Sequence, residues 1–243
     1  RILADVEEAR LSVTQLEADP RGTLRLNLPI AFGRAHIVPM LPDFLGMYSD
    51  LTLDLSLTDA FVDLVEEGID LAVRIGELQD SSLVARKLAP NIRVMCASPS
   101  YFDHAGRPEA PDDLKSHNCL VYKRGNDRAI WHFRDSEGAI HDVEATGNFQ
   151  TNNSEAIYTM ALEGLGVAPM STWLVGRDIA EGRLETVFDD YTVSATALDT
   201  NIYAVFPYNR HLSPKVRAFV DTLVARFTPT PPWARIAGGI YLG

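Results

Sequence analysis

The sequence predicts an α/β fold built on a parallel sheet with crossover helices. Two runs in which leucine alternates with polar residues read as strands. Leu24, Leu26 and Leu28 alternate with Arg25 and Asn27, and Leu51, Leu53, Leu55 and Leu57 alternate with Thr52, Asp54, Ser56 and Thr58. Between them Ile37, Leu41, Phe44, Leu45 and Tyr48 share one helical face. A strand that returns after a helix must run parallel to the first, because a tight hairpin cannot make that connection. The 243 residues, 46% of them hydrophobic, suffice for one large domain or two lobes.

Taken in order, the first segment stands apart. Ile2, Val6, Ala9, Val13 and Leu16 form a heptad stripe flanked by Asp5, Glu7, Glu8 and Arg10, and Asp19-Pro20-Arg21-Gly22 stops it. A strict heptad favours a partner helix over a wide core face. In the helix after the first strand, Pro39 and Pro42 introduce a bend. A second helix is expected over Ala60 to Glu67, ending at Gly68, and then a strand from Ile69 to Ile75.

The middle of the chain repeats the alternation. Asn91 to Ala97 reads as a strand, and Ser98-Pro99 is a cap followed by a first-turn proline. Strands are expected at Cys119 to Tyr122, Trp131 to Phe133, Ile140 to Thr146 and Phe149 to Thr151. Asn153-Ser154 opens a helix reaching about Leu165, Gly166 to Met170 is a short strand, and Ser171 opens another helix. Ile202 to Phe206 is an apolar strand, and Ser213-Pro214 opens a last helix with Val216, Phe219, Val220, Leu223 and Phe227 inward. Thr228-Pro229-Thr230-Pro231-Pro232 is expected to be non-helical, and Ala237 to Gly243 a loose tail.

Charge and motifs narrow the function. A net charge of −11 repels phosphate backbones, so this chain by itself is expected not to bind DNA. No apolar run approaches the ~20 residues of a membrane span. The start lacks the pattern of a secretory signal, which suits a cytoplasmic protein. Cys96 and Cys119 have no partners at metal-ligand spacing and read as two buried thiols. The six histidines are scattered, and neither a nucleophile elbow nor a phosphate loop occurs, so no catalytic set, metal or cofactor is expected. Gly164-x-Gly166 follows a helix and precedes a strand, the reverse of a dinucleotide fingerprint.

An ordered set of stretches stands out along the chain. They are Gly22-Thr23-Leu24-Arg25-Leu26, Ala31-Phe32-Gly33-Arg34 through Pro39-Met40-Leu41-Pro42, and Val62-Asp63-Leu64-Val65-Glu66-Glu67-Gly68-Ile69-Asp70-Leu71-Ala72-Val73-Arg74-Ile75-Gly76. Ser81-Ser82-Leu83-Val84-Ala85-Arg86-Lys87-Leu88, Cys96-Ala97-Ser98-Pro99, Gly164-Leu165-Gly166-Val167-Ala168 and Leu212-Ser213-Pro214-Lys215-Val216-Arg217 follow. In this order they resemble the regulatory domain of LysR-type transcription regulators, and the resemblance implies two Rossmann-like lobes hinged by two crossing strands, as in a type II periplasmic binding protein. Residues 1–20 would be the linker helix that pairs subunits, 23–91 with 201–227 lobe I, 92–200 lobe II and 228–243 a C-terminal tail. It also implies a homodimer or homotetramer, and an N-terminal winged helix-turn-helix, outside this chain, that contacts DNA.

A small-molecule effector is the expected partner, held in a cleft between the lobes. Ligands of open sheets sit beyond the carboxyl ends of strands, where helices begin. Three loops fit. In Ala31-Phe32-Gly33-Arg34, the Arg34 guanidinium and the Phe32 ring suit a flat anion, or else Phe32 is core and Arg34 a solvated charge. Thr58-Asp59 offers either a ligand contact or a plain N-cap at Asp59. In Asn152-Asn153-Ser154, capping accounts for one residue and leaves two side chains for ligand hydrogen bonds. The resemblance adds Arg74, Pro169, Met170 and Phe206. Ala31 stands where some relatives have a hydroxyl residue, so one hydrogen bond found in those relatives is missing. A free-standing solute-binding protein of a transport system is the alternative, and the heptad helix weighs against it. An enzyme on this architecture is a third reading, without a candidate catalytic set.

Overall fold

The computed structural model describes residues 19–77, 83–123, 128–195, 200–210 and 213–236. The heptad helix and the segment from Ala237 onward lie outside the described residues. The chain divides into two compact units, Arg1–Ala89 with Ile202–Pro229, and Pro90–Asn201 with Thr230–Gly243.

The first unit is built on a five-stranded sheet in the order β2-β1-β3-β13-β4. Its strands are β1 (Gly22–Leu28), β2 (Leu51–Leu57), β3 (Leu71–Gly76), β4 (Leu83–Pro90) and β13 (Asn201–Pro207). β1 runs parallel to β2, with Gly22 opposite Leu51 and Leu28 opposite Leu57, and parallel to β3. Leu24, Leu26 and Leu28 are buried, as alternation on a covered sheet face requires. The stretch between β1 and β2 is a helix in pieces. It comprises α1 (Ile30–Phe32), a π-turn (Gly33–Ile37), a 3-10 turn (Val38–Met40) and α2 (Leu41–Met47). Pro39 and Pro42 lie where the hydrogen-bonding pattern changes, because neither has an N–H to donate. Gly33 is required by packing, since a Cβ there would lie 2.9 Å from Leu57 Cδ2 and 3.0 Å from Leu28 Cβ. Phe44 meets Phe219 edge-on at 5.1 Å, joining α2 to α6 (Pro214–Phe227).

One buried carboxylate ties this unit together. Asp70, only 2% exposed, enters β3 and accepts from the Arg25 N–H at 3.0 Å. The Lys215 ammonium of α6 lies 2.5 Å away and the Arg210 guanidinium 3.5 Å away. Two cations thus answer one buried anion.

The second unit holds smaller sheets. Its strands are β5 (Arg93–Ala97), β6 (Leu120–Tyr122), β7 (Ile130–Arg134), β8 (Ile140–Glu144), β9 (Phe149–Thr151), β10 (Ala168–Ser171), β11 (Glu185–Val187) and β12 (Thr192–Ser194). Its helices are α3 (Pro99–Ala105), α4 (Ser154–Leu162), α5 (Thr172–Ala180) and α7 (Pro232–Ile236). Sheets form in the orders β10-β5-β11, β12-β7-β8 and β6-β9. β6 and β9 are parallel, while β5 pairs antiparallel with both β10 and β11. Met95, Phe102, Trp131, Phe133, Val143 and Val193 share one core, and Val94, Cys96, Leu120, Ile157, Met170 and Val175 another. Both sides of β5 are therefore covered, which explains its nearly unbroken apolar run.

Three expectations need correction. Ala60 to Glu67 is not a helix but a series of turns, in which Asp63 Oδ1 accepts from the N–H groups of Val65 and Glu66. Leu64 is buried there, whereas Phe61 and Val65 are exposed, so the segment has no continuous apolar stripe to bury. Pro232 does not stay outside helix. It opens α7, where a missing N–H costs nothing, and Trp233 is buried. The strands β4, β11 and β12 are additions to those expected.

Candidate functional site

In the first unit, the strand-end loops converge on the start of α1. The Ile30 N–H donates to Asp59 Oδ1 at 3.1 Å, so a carboxylate from the loop after β2 serves the helix that follows β1. Asp59 thus caps, but it caps a different segment from the one expected. The Thr58 N–H donates to Leu28 O at 2.9 Å, and Thr58 Oγ1 accepts from the Ala60 N–H. Arg74, on β3, donates to Val62 O at 3.0 Å and lies over the Phe61 ring at 4.9 Å from its centroid. Arg34 is exposed, and Ala31 is buried.

Phe32 takes the core alternative. Its ring is fully buried and packs against His36 at 5.1 Å and Phe227 at 5.8 Å, which leaves no face for a flat ligand. Phe206 and Met170 are likewise buried, while Pro169 is partly exposed on β10.

In the second unit, Asn153 is the N-cap of α4. Its Oδ1 accepts from the Ala156 N–H at 2.9 Å, and its own N–H donates to Thr151 Oγ1 at 3.2 Å. Asn152 is exposed and Ser154 is partly buried. The structure brings these residues to the carboxyl end of β9, where β6 also ends, since Tyr122 stands opposite Thr151.

A polar cluster that sequence reasoning missed lies on the same edge. The Trp173 indole donates to Asn91 Oδ1 at 2.9 Å, and the Asn91 amide donates to Thr200 Oγ1 at 3.1 Å. Arg93 Nη1 donates to Ser194 Oγ at 2.9 Å and to Thr200 Oγ1 at 3.2 Å. Burial lowers the Arg93 guanidinium to about 10, with Tyr122 acting in the opposite sense. The available signal was a cation in an otherwise apolar strand, Ile92-Arg93-Val94-Met95-Cys96-Ala97.

Both cysteines are free and buried, and burial pushes the Cys96 and Cys119 thiols up, Cys119 to about 11. Among the described residues, no cluster of three or more His, Cys, Asp or Glu could hold a metal, and no helix is long and apolar enough to cross a membrane.

The LysR substrate binding domain matches residues 17–228. The chain belongs to the LysR family of transcription regulators. This LysR-type chain is 36% identical to the transcriptional regulator DmlR of Escherichia coli K12 over 233 residues, covering 96% of the chain and 74% of that protein. It is 32% identical to the activator TtdR of the same strain, covering 92% of the chain and 71% of that protein. The regulatory domain of CrgA from Neisseria meningitidis superposes with a TM-score of 0.74 at 28% identity, over 86% of this chain and 100% of that domain. The regulatory domain of AphB from Vibrio vulnificus gives 0.66 at 27% identity, over 84% and 98%. The LysR-type fold is therefore of the type II periplasmic-binding-protein kind, and this is the effector-binding domain of a transcription regulator and not an enzyme.

Proposed function

We propose that this LysR-type domain senses a small organic metabolite, anionic or aromatic, through the strand-end loops of its two units. What supports the reading most is that a side chain has prepared a helix start in each unit. Asp59 holds the Ile30 N–H in one, and Asn153 holds the Ala156 N–H in the other. Such starts lie beyond the carboxyl ends of strands, where ligands of open sheets bind. Arg34 and Thr58 supply polar contacts from the first unit, and Asn152, Ser154 and Pro169 line the second. Asp59 and Asn153 are divided between capping and contact, and Arg74 braces the first loop. Ala31, Phe32, Gly33, Met170 and Phe206 act from beneath by filling the core that positions these loops.

A ligand engaging both units changes their preferred arrangement only by its differential affinity. In a cytoplasmic homodimer or homotetramer that change would reach DNA through the winged helix-turn-helix of the regulator.

A thermal-shift screen of small carboxylates, aromatic acids and their neutral amides tests the proposal. At least one class should raise the melting temperature in a saturable way. Arg34→Ala should weaken an anionic hit about ten- to a hundred-fold, the worth of a charged hydrogen bond, while the ligand-free melting temperature stays near the parent's. Equal binding by parent and variant would remove Arg34 from the site, and a screen without any hit would defeat the effector reading.

A further inference from the structure

We infer that Arg93, in the second unit, is an anion-binding centre of this domain, and that its ligand is the carboxylate of a small organic acid. The inference rests on the effector-binding reading and makes it specific, because it adds to the exposed Arg34 a second cation, one built into the fold.

The argument starts from what surrounds the guanidinium. Arg93 opens β5 and is partly buried. Its two hydrogen bonds both leave from Nη1, and both end on hydroxyl oxygens, Ser194 Oγ and Thr200 Oγ1. No carboxylate pairs with it among the described residues. A positive charge taken from water is normally answered by an anion, and two neutral hydroxyls do not supply one. The hydroxyls instead fix the orientation. With Nη1 held, the edge formed by Nε and Nη2 has no protein acceptor among the described residues. That edge carries two parallel N–H groups spaced for a carboxylate, the geometry that makes arginine a bidentate oxyanion receptor.

Its place in the sheet points the same way. Arg93 stands opposite Ser171, the residue after which α5 begins. Tyr122, close enough to act on Arg93 electrostatically, ends β6 opposite Thr151, just before the Asn153 cap of α4. Two nine-residue helices therefore begin on the edge that holds a cation with no carboxylate partner among the described residues. Their positive ends add to its field and favour an anion over a neutral ligand.

Arginine side-chain NMR of the intact chain tests this. The Arg93 Nε–H resonance is assigned by its loss in Arg93→Lys, and the chain is titrated with sodium acetate, succinate and benzoate against chloride at constant ionic strength. The expected result is a saturable shift of that resonance with at least one carboxylate and no shift with chloride. Calorimetry with the same carboxylate should show at least tenfold weaker binding by Arg93→Gln, and an intermediate loss in Arg93→Lys, which keeps the charge but not the fork. Far-UV circular dichroism confirms that both variants fold. A resonance unmoved by all three carboxylates overturns the proposal, as does unchanged affinity in a folded Arg93→Gln. The two readings separate cleanly. If neutral amides stabilise the domain while Arg93 stays silent, the effector reading stands and the anion centre falls. If carboxylates move other arginines only, the ligand class stands and Arg93 falls.

Discussion

Asp70 in the first unit and Arg93 in the second are both charges drawn out of water, and the fold answers them differently. Asp70 meets Lys215, Arg210 and a backbone N–H, so its charge is cancelled by groups that also join β3, β1 and α6. Among the described residues Arg93 donates to two neutral hydroxyls, Ser194 and Thr200, and pairs with no carboxylate. A compensated charge is explained by the architecture around it. An oriented one without a carboxylate partner among the described residues is not, and that is the ground for the anion site inferred at Arg93.

The largest effect should come from breaking the compensated cluster. Asp70→Ala leaves Lys215 partly buried without its counter-ion and frees the Arg25 N–H, and is expected to cost about 3–5 kcal/mol in urea unfolding. A loss below about 1 kcal/mol would mean that the cluster is solvated and that the contrast with Arg93 is false.

A third buried group lies between these extremes. The Tyr101 hydroxyl accepts from the Asn118 N–H at 2.9 Å and lies 3.0 Å from His117 Nδ1, to which it donates in the tautomer protonated at Nε2. This suits a neutral imidazole, and burial holds His117 below its usual value, against a smaller opposing pull from Asp113. A base with a lowered folded value takes up protons more readily when unfolded, so stability rises with pH in that interval. The contribution is complete above about 6.5, the unfolded value, and is lost as pH falls toward the folded one. Unfolding curves of the parent and His117→Gln should converge in that direction. Parallel curves across it would show that the histidine titrates alike in the folded and unfolded chain, so that burial does not disfavour its charge.

The smallest effect is expected at Arg93 itself. Arg93→Met removes a charge that nothing in the described structure neutralises, and it keeps most of the side-chain volume. Its ligand-free stability should fall within about 1 kcal/mol of the parent, or rise. A loss as large as that of Asp70→Ala would make Arg93 a structural cation and erase the comparison.

The sequence made some of this legible and hid the rest for physical reasons. β1 and β2 were readable because one face is covered and alternation is then enforced. Ser98 and Asn153 were readable as caps because a short polar side chain before a helix has one dominant use, and both accept the expected N–H. The turns over Ala60 to Glu67 mimicked a helix because Val62, Leu64 and Val65 have roughly helical spacing, yet only Leu64 is buried. β4 was hidden by Arg86 and Lys87, which keep the exposed part of an edge strand polar. At the candidate site, the loops were chosen from helix starts, a signal that does not give the roles of single residues. Phe32 proved to be core through Phe227, nearly two hundred residues away in sequence. Arg93 went unnoticed because its neighbours Ser194 and Thr200 are also distant in sequence.

The π-turn at Gly33–Ile37 has a consequence for how the family can diversify. It closes with the Val38 N–H on Gly33 O, one residue more than an α-turn encloses. Arg34 and Ala35 within it are exposed, while Gly33 and Ile37 at its ends are buried. Deleting one exposed residue would relax the turn to ordinary α geometry, leave both buried anchors in place, and swing the remaining side chain by about 100° around the axis. Insertions and deletions, usually confined to loops, thereby gain access to a structured rim, and a regulator could change what it recognises there without rebuilding its sheet.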